Sequence, residues 1–266
     1  MEKYNVNFKK KFGQNFLRDT NVVDKIVSIS DVSSNSLVIE VGPGGAIMTK
    51  KLAEKSKYLI AYEIDEDLKD TLDNSLKSFN NVVVFYKDFL KTDLVLDLSN
   101  YKYDRLFFVS NVPYYITTPI VMKLLSSNLK FDKIVMMVQK EVGDRYSSLC
   151  GSKEYGSITV LLNYFYDIKK EFFVSRNEFI PKPNVDSVVV SFTEKKDKLY
   201  LRDFSFFERI VRDSFQFKRK TIKNNLKKYD LEIISSILEK YGYDLSVRAE
   251  NLSVEVFVDI ANSLKK

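Results

Sequence analysis

Short continuous apolar runs alternate with longer polar stretches through the first two-thirds of the chain. Apolar runs bounded by turn residues are typical of strands buried on both faces of a parallel sheet, with helices as the crossovers. The pattern predicts strands at 36–42, 57–65, 81–88, 105–111 and 132–139 and helices at 47–55, 66–78 and 118–128. The later apolar stretches 156–168 and 185–192 have no clear helix between them, so we predict antiparallel strands at one side of the sheet.

The pattern changes after about residue 195, where the charged connector TEKKDK leads into a segment with apolar residues at helical spacing. Phe204, Phe207, Ile210 and Val211 form the first such group, and similar groups recur to the end of the chain. We therefore predict an α/β domain over residues 1–195 and a small all-helical domain over residues 196–266.

The residue types present exclude several kinds of chemistry. The 266 residues include one cysteine, Cys150, and no histidine. A single cysteine forms neither an internal disulfide nor a thiolate cluster for zinc or iron–sulfur. Without histidine the chain has no Ser-His-Asp triad and no imidazole base. Any chemistry must therefore come from carboxylates, amides, tyrosines, lysines or a cofactor, and we expect no metal.

The formal net charge of +6 favours anionic partners, nucleic acid first and an anionic membrane second. Abundant lysine also reflects the base composition of some genomes, so the position of the charge says more than its total. No run reaches the length of a transmembrane helix, and the N-terminal stretch lacks the apolar core of a signal peptide. We expect a soluble cytoplasmic protein without a membrane partner.

A glycine-rich turn, EVGPGG at 40–45, joins the first predicted strand to the next helix. Such a turn brings backbone N–H groups close to a ligand, and Glu63, about twenty residues on, ends the second strand where a carboxylate can bind both ribose hydroxyls. The third glycine of the dinucleotide fingerprint is replaced by Ile47, which favours S-adenosylmethionine (SAM) instead. Asp88, ending the third strand, can then bind the adenine amine. The alternative is a glycine turn with two surface acids.

The fourth predicted strand ends in Asn111-Val112-Pro113-Tyr114. An adenine amino group is a poor nucleophile, and acceptors aimed at its hydrogens orient its lone pair. The Asn111 side-chain oxygen and a carbonyl near Val112 or Pro113 can serve, because proline fixes the backbone there. Tyr114 offers a face on which a flipped-out base can stack. The alternative is an Asn-x-Pro turn with Tyr114 in the core.

A basic stretch, FQFKRKTIKNNLKK at 215–228, contains no acid. We predict a helix here whose cations, Lys218, Arg219, Lys220 and Lys223 among them, bind RNA phosphates. The alternative is a solvated helix face.

Together these motifs resemble the ribosomal RNA adenine N6-dimethyltransferases of the bacterial small-subunit (KsgA) type. KKFGQNFLRD (10–19) is similar to the family's N-terminal signature. In this chain, VIEVGPGGAIMTKKL (38–52), YEID (62–65) and KDFL (87–90) resemble the family's first, second and third SAM motifs. SNVPYYITTPI (110–120) resembles its catalytic motif, N-L-P-Y-N-I-S-T-P. Later blocks match at MMVQKEVGDR (136–145), FIPKPNVDSVVVSF (179–192), FKRKTIKNNL (217–226) and RAENLS (248–253). The largest departure is Tyr115 in place of asparagine, which affects the shape of the pocket.

The resemblance implies a Rossmann-like SAM-dependent methyltransferase fold with a mostly parallel seven-stranded sheet and a helical domain that docks on RNA. The cofactor-binding residues that it implies are Asn15, Leu17, Gly42, Gly44, Glu63, Asp88 and Asn111. The implied base pocket consists of Asn111, Pro113 and Tyr114, with Phe179 stacking on the base from the other side. The alternative for Phe179 is core packing.

The implied activity is dimethylation of two adjacent adenosines near the 3′ end of small-subunit (16S) rRNA, performed by a monomer on the 30S particle. A large-subunit rRNA adenine methyltransferase conferring macrolide resistance is an alternative, although the FIPKPNVDS and FKRKTIKNNL blocks favour the small-subunit type. A mainly non-catalytic checkpoint factor in small-subunit assembly is a second alternative. A basic Rossmann-like binding module without SAM is a third.

Overall fold

The computed structural model describes residues 16–17 and 19–265. Its strands are β1 (Phe16–Leu17), β2 (Ser36–Val41), β3 (Tyr58–Glu63), β4 (Val82–Tyr86), β5 (Arg105–Asn111), β6 (Lys133–Gln139), β7 (Tyr166–Val174), β8 (Phe179–Ile180) and β9 (Ser187–Glu194). Its helices are α1 (Thr20–Ile29), α2 (Ile47–Ala53), α3 (Lys69–Leu76), α4 (Leu94–Leu98), α5 (Thr117–Ser126), α6 (Lys140–Tyr146), α7 (Ser157–Phe165), α8 (Phe204–Ser214), α9 (Ile222–Asn225), α10 (Leu231–Lys240) and α11 (Val254–Leu264). Short 3₁₀ turns lie at Glu66–Leu68, Phe89–Lys91, Tyr114–Ile116, Arg176–Glu178 and Ala249–Asn251.

Seven strands form one sheet in the order β4-β3-β2-β5-β6-β9-β7, while β1 and β8 pair separately. The pairs β2–β3, β3–β4, β2–β5 and β5–β6 are parallel, and β6–β9 is antiparallel. The predicted seven-stranded, mostly parallel sheet is therefore confirmed. Strand order reverses at β2, whose neighbours are β3 and β5. In open α/β sheets, ligands bind outside the carboxyl ends of the strands at such a reversal.

The central strands are buried because their side chains are apolar and helices cover them. Every residue of β2 is buried, and Val38, Phe107 and Leu52 of the shared core each have 0% of their surface exposed. Helix α1 adds Val23 and Ile26 to the same core. Fully burying a side chain of this kind contributes roughly 1.5–3 kcal/mol. This packed core fixes the positions of the strand ends.

The predicted strand at 156–168 is wrong, because residues Ser157–Phe165 form helix α7 and strand β7 begins only at Tyr166. The stretch is mainly apolar and so resembles a buried strand, although Thr159 and Asn163 recur at helical spacing. Residues 158–162 of α7 are all buried, which is typical of a helix surrounded by other elements. A short, mainly apolar stretch of this kind is ambiguous between a buried strand and a buried helix.

The chain divides into two compact units, one formed by residues 1–143 and 169–193 and the other by 144–168 and 194–266. The predicted division into 1–195 and 196–266 differs from this, because 144–168 belongs with the C-terminal segment. In the second unit, α8 buries Phe207, Ile210 and Val211, as the helical spacing predicted. Among the described residues, no helix is both long and apolar enough to cross a membrane.

Candidate active site

A cavity of about 210 Å³ lies in the first unit at the carboxyl ends of β2 to β5. Its lining contains the glycine turn after β2, Glu63 at the end of β3, Asp88 after β4 and residues 111–114, which form a corner after β5. These segments meet because parallel strands end at the same edge of a sheet. The cavity thus lies where the strand order reverses.

The glycine turn has a backbone conformation that favours glycine, and at Gly44 it also leaves no room for a side chain. Gly42 and Gly44 have φ angles of 75° and 53°, in the left-handed region that favours glycine. The Gly42 N–H donates to the Tyr62 carbonyl at 2.8 Å. A Cβ atom on Gly44 would lie 2.8 Å from the Phe16 ring, and one on Gly42 would lie 3.8 Å from Pro113. The turn therefore packs directly against the corner after β5.

Glu63 is held in one orientation at the cavity wall. Only 5% of its surface is exposed, and its Oε1 accepts hydrogen bonds from the Ile64 and Asp65 N–H groups, both at 2.9 Å. Burial raises the pKa of this carboxyl, and the backbone hydrogen bonds oppose that shift. A carboxylate fixed in this way is a preorganised acceptor for ligand hydroxyl groups.

Asp88 precedes a 3₁₀ turn whose backbone is held by hydrogen bonds to side chains. Its Oδ1 accepts from the Leu90 N–H at 2.9 Å, which caps the 3₁₀ turn after β4. The Lys123 ammonium donates to the carbonyls of Leu90 and Thr92 at 3.2 and 2.6 Å. These bonds hold the wall of the cavity that contains Asp88.

Glu40 is a cavity residue to which the sequence argument assigned no role. It is 1% exposed, and within the described part of the chain its Oε2 has no hydrogen-bond partner. Burial, with a smaller contribution from the nearby Glu63 carboxylate, raises the pKa of Glu40 to about 8. A buried acid with one unpartnered oxygen is unfavourable unless a ligand supplies a donor or a positive charge. In the sequence, Glu40 is an acid inside the otherwise apolar run SLVIEVG and the first residue of the glycine-rich turn EVGPGG.

We predict that Glu40→Gln changes how the stability of the ligand-free protein depends on pH. The pKa of Glu40 rises from 4.5 to about 8 on folding, so its stabilising contribution is complete below pH 4.5 and is lost as the pH rises through about 8. Glutamine does not titrate. The free energy of unfolding of the variant minus that of the wild type should therefore rise by roughly 1 kcal/mol per pH unit from about pH 5 to 8 and then level off.

Urea unfolding of both proteins at four pH values across this window measures that difference. A difference that is the same at every pH would show that Glu40 titrates alike in the folded and unfolded states.

The corner after β5 is anchored on both sides. Asn111 is half-buried, ends the strand and lines the cavity. The Ser110 hydroxyl donates to the Val41 carbonyl at 2.6 Å, which ties β5 to the strand that precedes the glycine turn. The Tyr114 hydroxyl lies 2.6 Å from the Ser187 hydroxyl of β9. Burial raises the pKa of Tyr114, so the phenol stays neutral, and the hydrogen bond to Ser187 fixes the side chain.

The two candidate carbonyls of this corner are not equivalent. The Pro113 carbonyl accepts from the Ile116 N–H at 3.2 Å, and the Thr117 hydroxyl lies 3.4 Å from it and 3.2 Å from the Tyr114 carbonyl. These donors begin the 3₁₀ turn and helix α5, so the helix start already uses the Pro113 carbonyl. The Val112 carbonyl is therefore the better candidate for a ligand acceptor.

The structure gathers most of the predicted site residues around one cavity. Those that line it are Leu17, Gly42, Gly44, Glu63, Asp88, Asn111, Pro113 and Tyr114. Tyr115 also lines it, with 55% of its surface exposed. Asn15 lies outside the described residues. In the part of the chain that the structure describes, no group of three or more Cys, Asp or Glu residues can hold a metal ion.

Phe179 is not among the residues that line the cavity. It is 2% exposed, belongs to the core cluster and pairs with Leu17 between β8 and β1. This placement agrees with the core-packing alternative, and stacking on a base would require the ring to leave the core. A role for Phe179 in base binding stays a prediction.

The prediction of one basic helix over 215–228 is wrong, because the stretch forms a turn followed by a short helix. Helix α8 ends at Ser214, residues 215–220 form turns and bends, and α9 covers only Ile222–Asn225. The Asn225 side chain donates to the Ser214 carbonyl at 2.6 Å, and the N–H groups of Ile222 and Lys223 donate to the carbonyls of Val247 and Leu245, at 2.8 and 3.1 Å. The predicted cations Lys218, Arg219, Lys220 and Lys223 are all exposed.

Comparisons with known proteins agree with this site. The family model described as "Ribosomal RNA adenine dimethylase" matches residues 5–266. A protein of Bacillus cereus (strain B4264) named "Ribosomal RNA small subunit methyltransferase A" is 41% identical over 274 residues, which cover 99% of this chain and 94% of the relative. A similarly named protein of Bacillus anthracis (strain CDC 684 / NRRL 3495) has the same identity and coverage.

Two solved structures resemble the fold. A dimethyladenosine transferase from Plasmodium falciparum has a TM-score of 0.77 and 26% identity, covering 92% of this chain and 95% of that one. The 23S rRNA methyltransferase ErmE has a TM-score of 0.72 and 24% identity, covering 95% of this chain and 100% of that one. At that identity the likeness to ErmE concerns the fold alone.

Proposed function

Because the chain belongs to the ribosomal RNA adenine dimethylase family, we propose that it uses SAM to dimethylate two adjacent adenosines near the 3′ end of small-subunit (16S) rRNA. The observation that carries this proposal is the single cavity shared by the glycine turn, the two strand-end acids and the Asn-Val-Pro-Tyr corner. The small-subunit target is supported by relatives that are 41% identical over nearly the whole chain and are named for that subunit.

The cavity fits SAM by the chemistry of its walls. Glu63 would accept from the ribose hydroxyls and Asp88 from the adenine amine, while Gly42 and Gly44 leave room for the methionine portion. The unpartnered Oε2 of Glu40 matches the positively charged ammonium of that portion. When bound, SAM supplies an electrophilic methyl group on a sulfonium ion.

In this proposal the corner after β5 activates the adenine amino group by accepting its hydrogens. The Asn111 side-chain oxygen and the Val112 carbonyl would take the two N–H groups, orient the nitrogen lone pair toward the methyl and stabilise the developing positive charge. No general base is required, because the nitrogen loses its proton to solvent after the N–C bond has formed. Tyr114, neutral and anchored to Ser187, would stack on the base.

A methyl-transfer assay tests the function directly. Purified protein and labelled SAM are mixed with 30S particles that lack the modification, and the methylated nucleotides are mapped. We expect two adjacent N6-dimethyladenosines in the small-subunit RNA. Methylation of large-subunit RNA alone would favour the resistance-type alternative, and no transfer by folded, SAM-binding protein would reject the enzyme assignment. Sedimentation of the mixture tests the prediction that a monomer binds the 30S particle.

The assembly-checkpoint alternative makes a separate prediction. A protein that cannot transfer methyl groups would still bind immature 30S particles and alter their maturation. Comparing particle profiles from cells with active and inactive protein therefore separates this role from the enzymatic one.

We also propose that the C-terminal segment docks on RNA through its exposed cations. Within the described residues, Lys218, Arg219, Lys220 and Lys223 form no ion pair, whereas Lys228 pairs with Asp213 at 2.9 Å. Unpaired cations are available to bind phosphates and to release counterions when they do so.

The variant Lys218→Ala/Arg219→Ala/Lys220→Ala is expected to flatten the salt dependence of RNA binding. Each lost phosphate contact reduces the magnitude of the slope of log K against log salt by about 0.7–0.9, so three contacts account for roughly 2–3. Dissociation constants for 30S particles over a range of KCl concentrations give the slope. Replacing Lys55, Lys77 and Lys240 with alanine is the matched control for net charge, because within the described residues these lysines are also exposed and form no ion pair. Equal slopes in the wild type and the first variant would mean that these cations are only solvated.

A further inference from the structure

The turn at 215–220 exposes an aromatic ring next to its cations. Phe217 has 57% of its surface exposed, and only one other phenylalanine in the described part of the chain, Phe173, is exposed among the large hydrophobic side chains. The Lys140 ammonium lies 5.9 Å from the ring centre of Phe173, while Phe217 has no aromatic or cationic contact with any described residue. An exposed ring of this kind is unfavourable in water and suits a contact that covers it.

The backbone at Phe217 is held by a buried amide. Asn225 is 6% exposed, and its Nδ2 donates to the carbonyls of Ser214 and Phe217 at 2.6 and 3.3 Å. Its Oδ1 accepts from the Phe217 N–H at 3.3 Å, and the Lys220 N–H donates to the Phe217 carbonyl at 2.9 Å. Because both backbone groups of Phe217 are bonded, the exposed ring extends from an ordered turn.

The charges around the ring indicate what covers it. Lys218, Arg219 and Lys220 follow it directly and are all exposed, and the Lys218 ammonium donates to the Lys153 carbonyl at 2.8 Å. Single-stranded RNA combines flat bases with phosphates, and proteins bind it with aromatic rings beside cations. A protein partner or a membrane would instead require a cluster of apolar side chains, and Phe217 is the only exposed large hydrophobic residue in the turn.

We propose that Phe217 stacks on an unpaired base of the substrate RNA while the cations that follow it bind the adjacent phosphates. This inference rests on the proposed function, because it assumes that RNA is the substrate. It assigns a base-contacting residue far along the chain from the Asn111 corner, in the second compact unit. The contact recognises an unpaired nucleotide without reading its sequence, because every base has a π-face.

The inference is tested with Phe217→Ala, Phe217→Leu and Phe217→Tyr, each titrated with unmethylated 30S particles and with protein-free small-subunit rRNA at several salt concentrations. One stacked base accounts for about a tenfold change in affinity or more. We expect Phe217→Ala and Phe217→Leu to bind both probes about tenfold more weakly at every salt concentration, with the salt slope unchanged. Phe217→Tyr should bind as the wild type does, because it keeps the ring.

The outcomes separate this inference from the function on which it rests. If Phe217→Leu binds as tightly as the wild type, an aromatic ring is not required at this position. If only the 30S affinity falls while rRNA affinity does not, the ring contacts a protein. Either result overturns the inference. Unchanged affinity of Phe217→Ala for both probes also overturns it. Methyl transfer by the wild type is measured in parallel. Transfer by the wild type with no effect at Phe217 rejects only the stacking contact, whereas no transfer at all rejects the proposed function.

Discussion

The Asn111→Ala variant is expected to remain folded, to bind SAM and RNA, and to lose about a thousandfold in kcat for methyl transfer. Removing one preorganised hydrogen-bond partner of a developing charge lowers kcat by about 10²–10³. Asn111 also orients the reacting nitrogen, so the upper part of that range is expected. The fold should persist because Asn111 is half-buried at the end of β5, while the preceding residues Leu106 to Ser110 are buried.

Two further variants show whether the loss of kcat comes from removing the side-chain oxygen of Asn111. Asn111→Asp keeps an acceptor in the same place and should retain at least about tenfold more activity than Asn111→Ala. Tyr114→Phe keeps the ring and loses only the hydrogen bond to Ser187, so its loss should be the smallest of the three. Single-turnover rates with saturating SAM and 30S particles give the comparison. A rate for Asn111→Ala within about tenfold of the wild type would contradict the mechanism.

The strand-end residues of the site were predictable because local patterns and one general rule determine them. Continuous apolar runs identified β2 to β6, and the carboxyl ends of parallel strands share one edge of the sheet. Glu63, Asp88 and Asn111 each end or directly follow such a run, so their convergence on one cavity followed from the sequence. Gly44 was recognisable because a strand-to-helix turn with a left-handed residue favours glycine.

The features that were not predictable depend on contacts between distant residues. The hydrogen bond between Tyr114 and Ser187 joins positions 73 residues apart, and no local pattern indicates it. The basic stretch contains no glycine or proline, yet residues 215–220 form a turn, and the Ser214 and Phe217 carbonyls accept from the Asn225 side chain, a contact that the local pattern does not indicate. Phe179 likewise lies in the core because β8 pairs with β1, which its neighbouring prolines do not reveal.

Glu40 shows a further limit of prediction from the sequence. Its sequence context, an acid within an apolar strand, is visible, but whether another side chain satisfies it depends on the whole cavity wall. In the described structure one carboxylate oxygen has no partner. The cofactor pocket therefore includes an electrostatic requirement that the glycine pattern alone did not contain.

Glu63→Gln is expected to weaken SAM binding by about a hundredfold without destabilising the protein. The variant loses one charge-assisted hydrogen bond and leaves a donor facing the ribose hydroxyls, together about 2–3 kcal/mol. The glutamine oxygen can still accept from the Ile64 and Asp65 N–H groups, so the local backbone is preserved. Burial raises the pKa of Glu63, so ionising this carboxyl opposes folding and a neutral amide should leave the melting temperature unchanged or higher.

Calorimetric titration with SAM measures the affinity, and thermal unfolding without SAM measures the stability. Glu66→Gln is the matched control, because Glu66 lies three residues on, is exposed and is absent from the cavity lining, so its SAM affinity should equal that of the wild type. Asp88→Asn should fall between the two, since Asp88 is more exposed than Glu63 and its ion pair with Lys91, at 3.8 Å, competes for the same carboxylate. If Glu63→Gln and Glu66→Gln bind SAM equally well, Glu63 does not hold the ribose, and the cofactor must bind this cavity in another orientation.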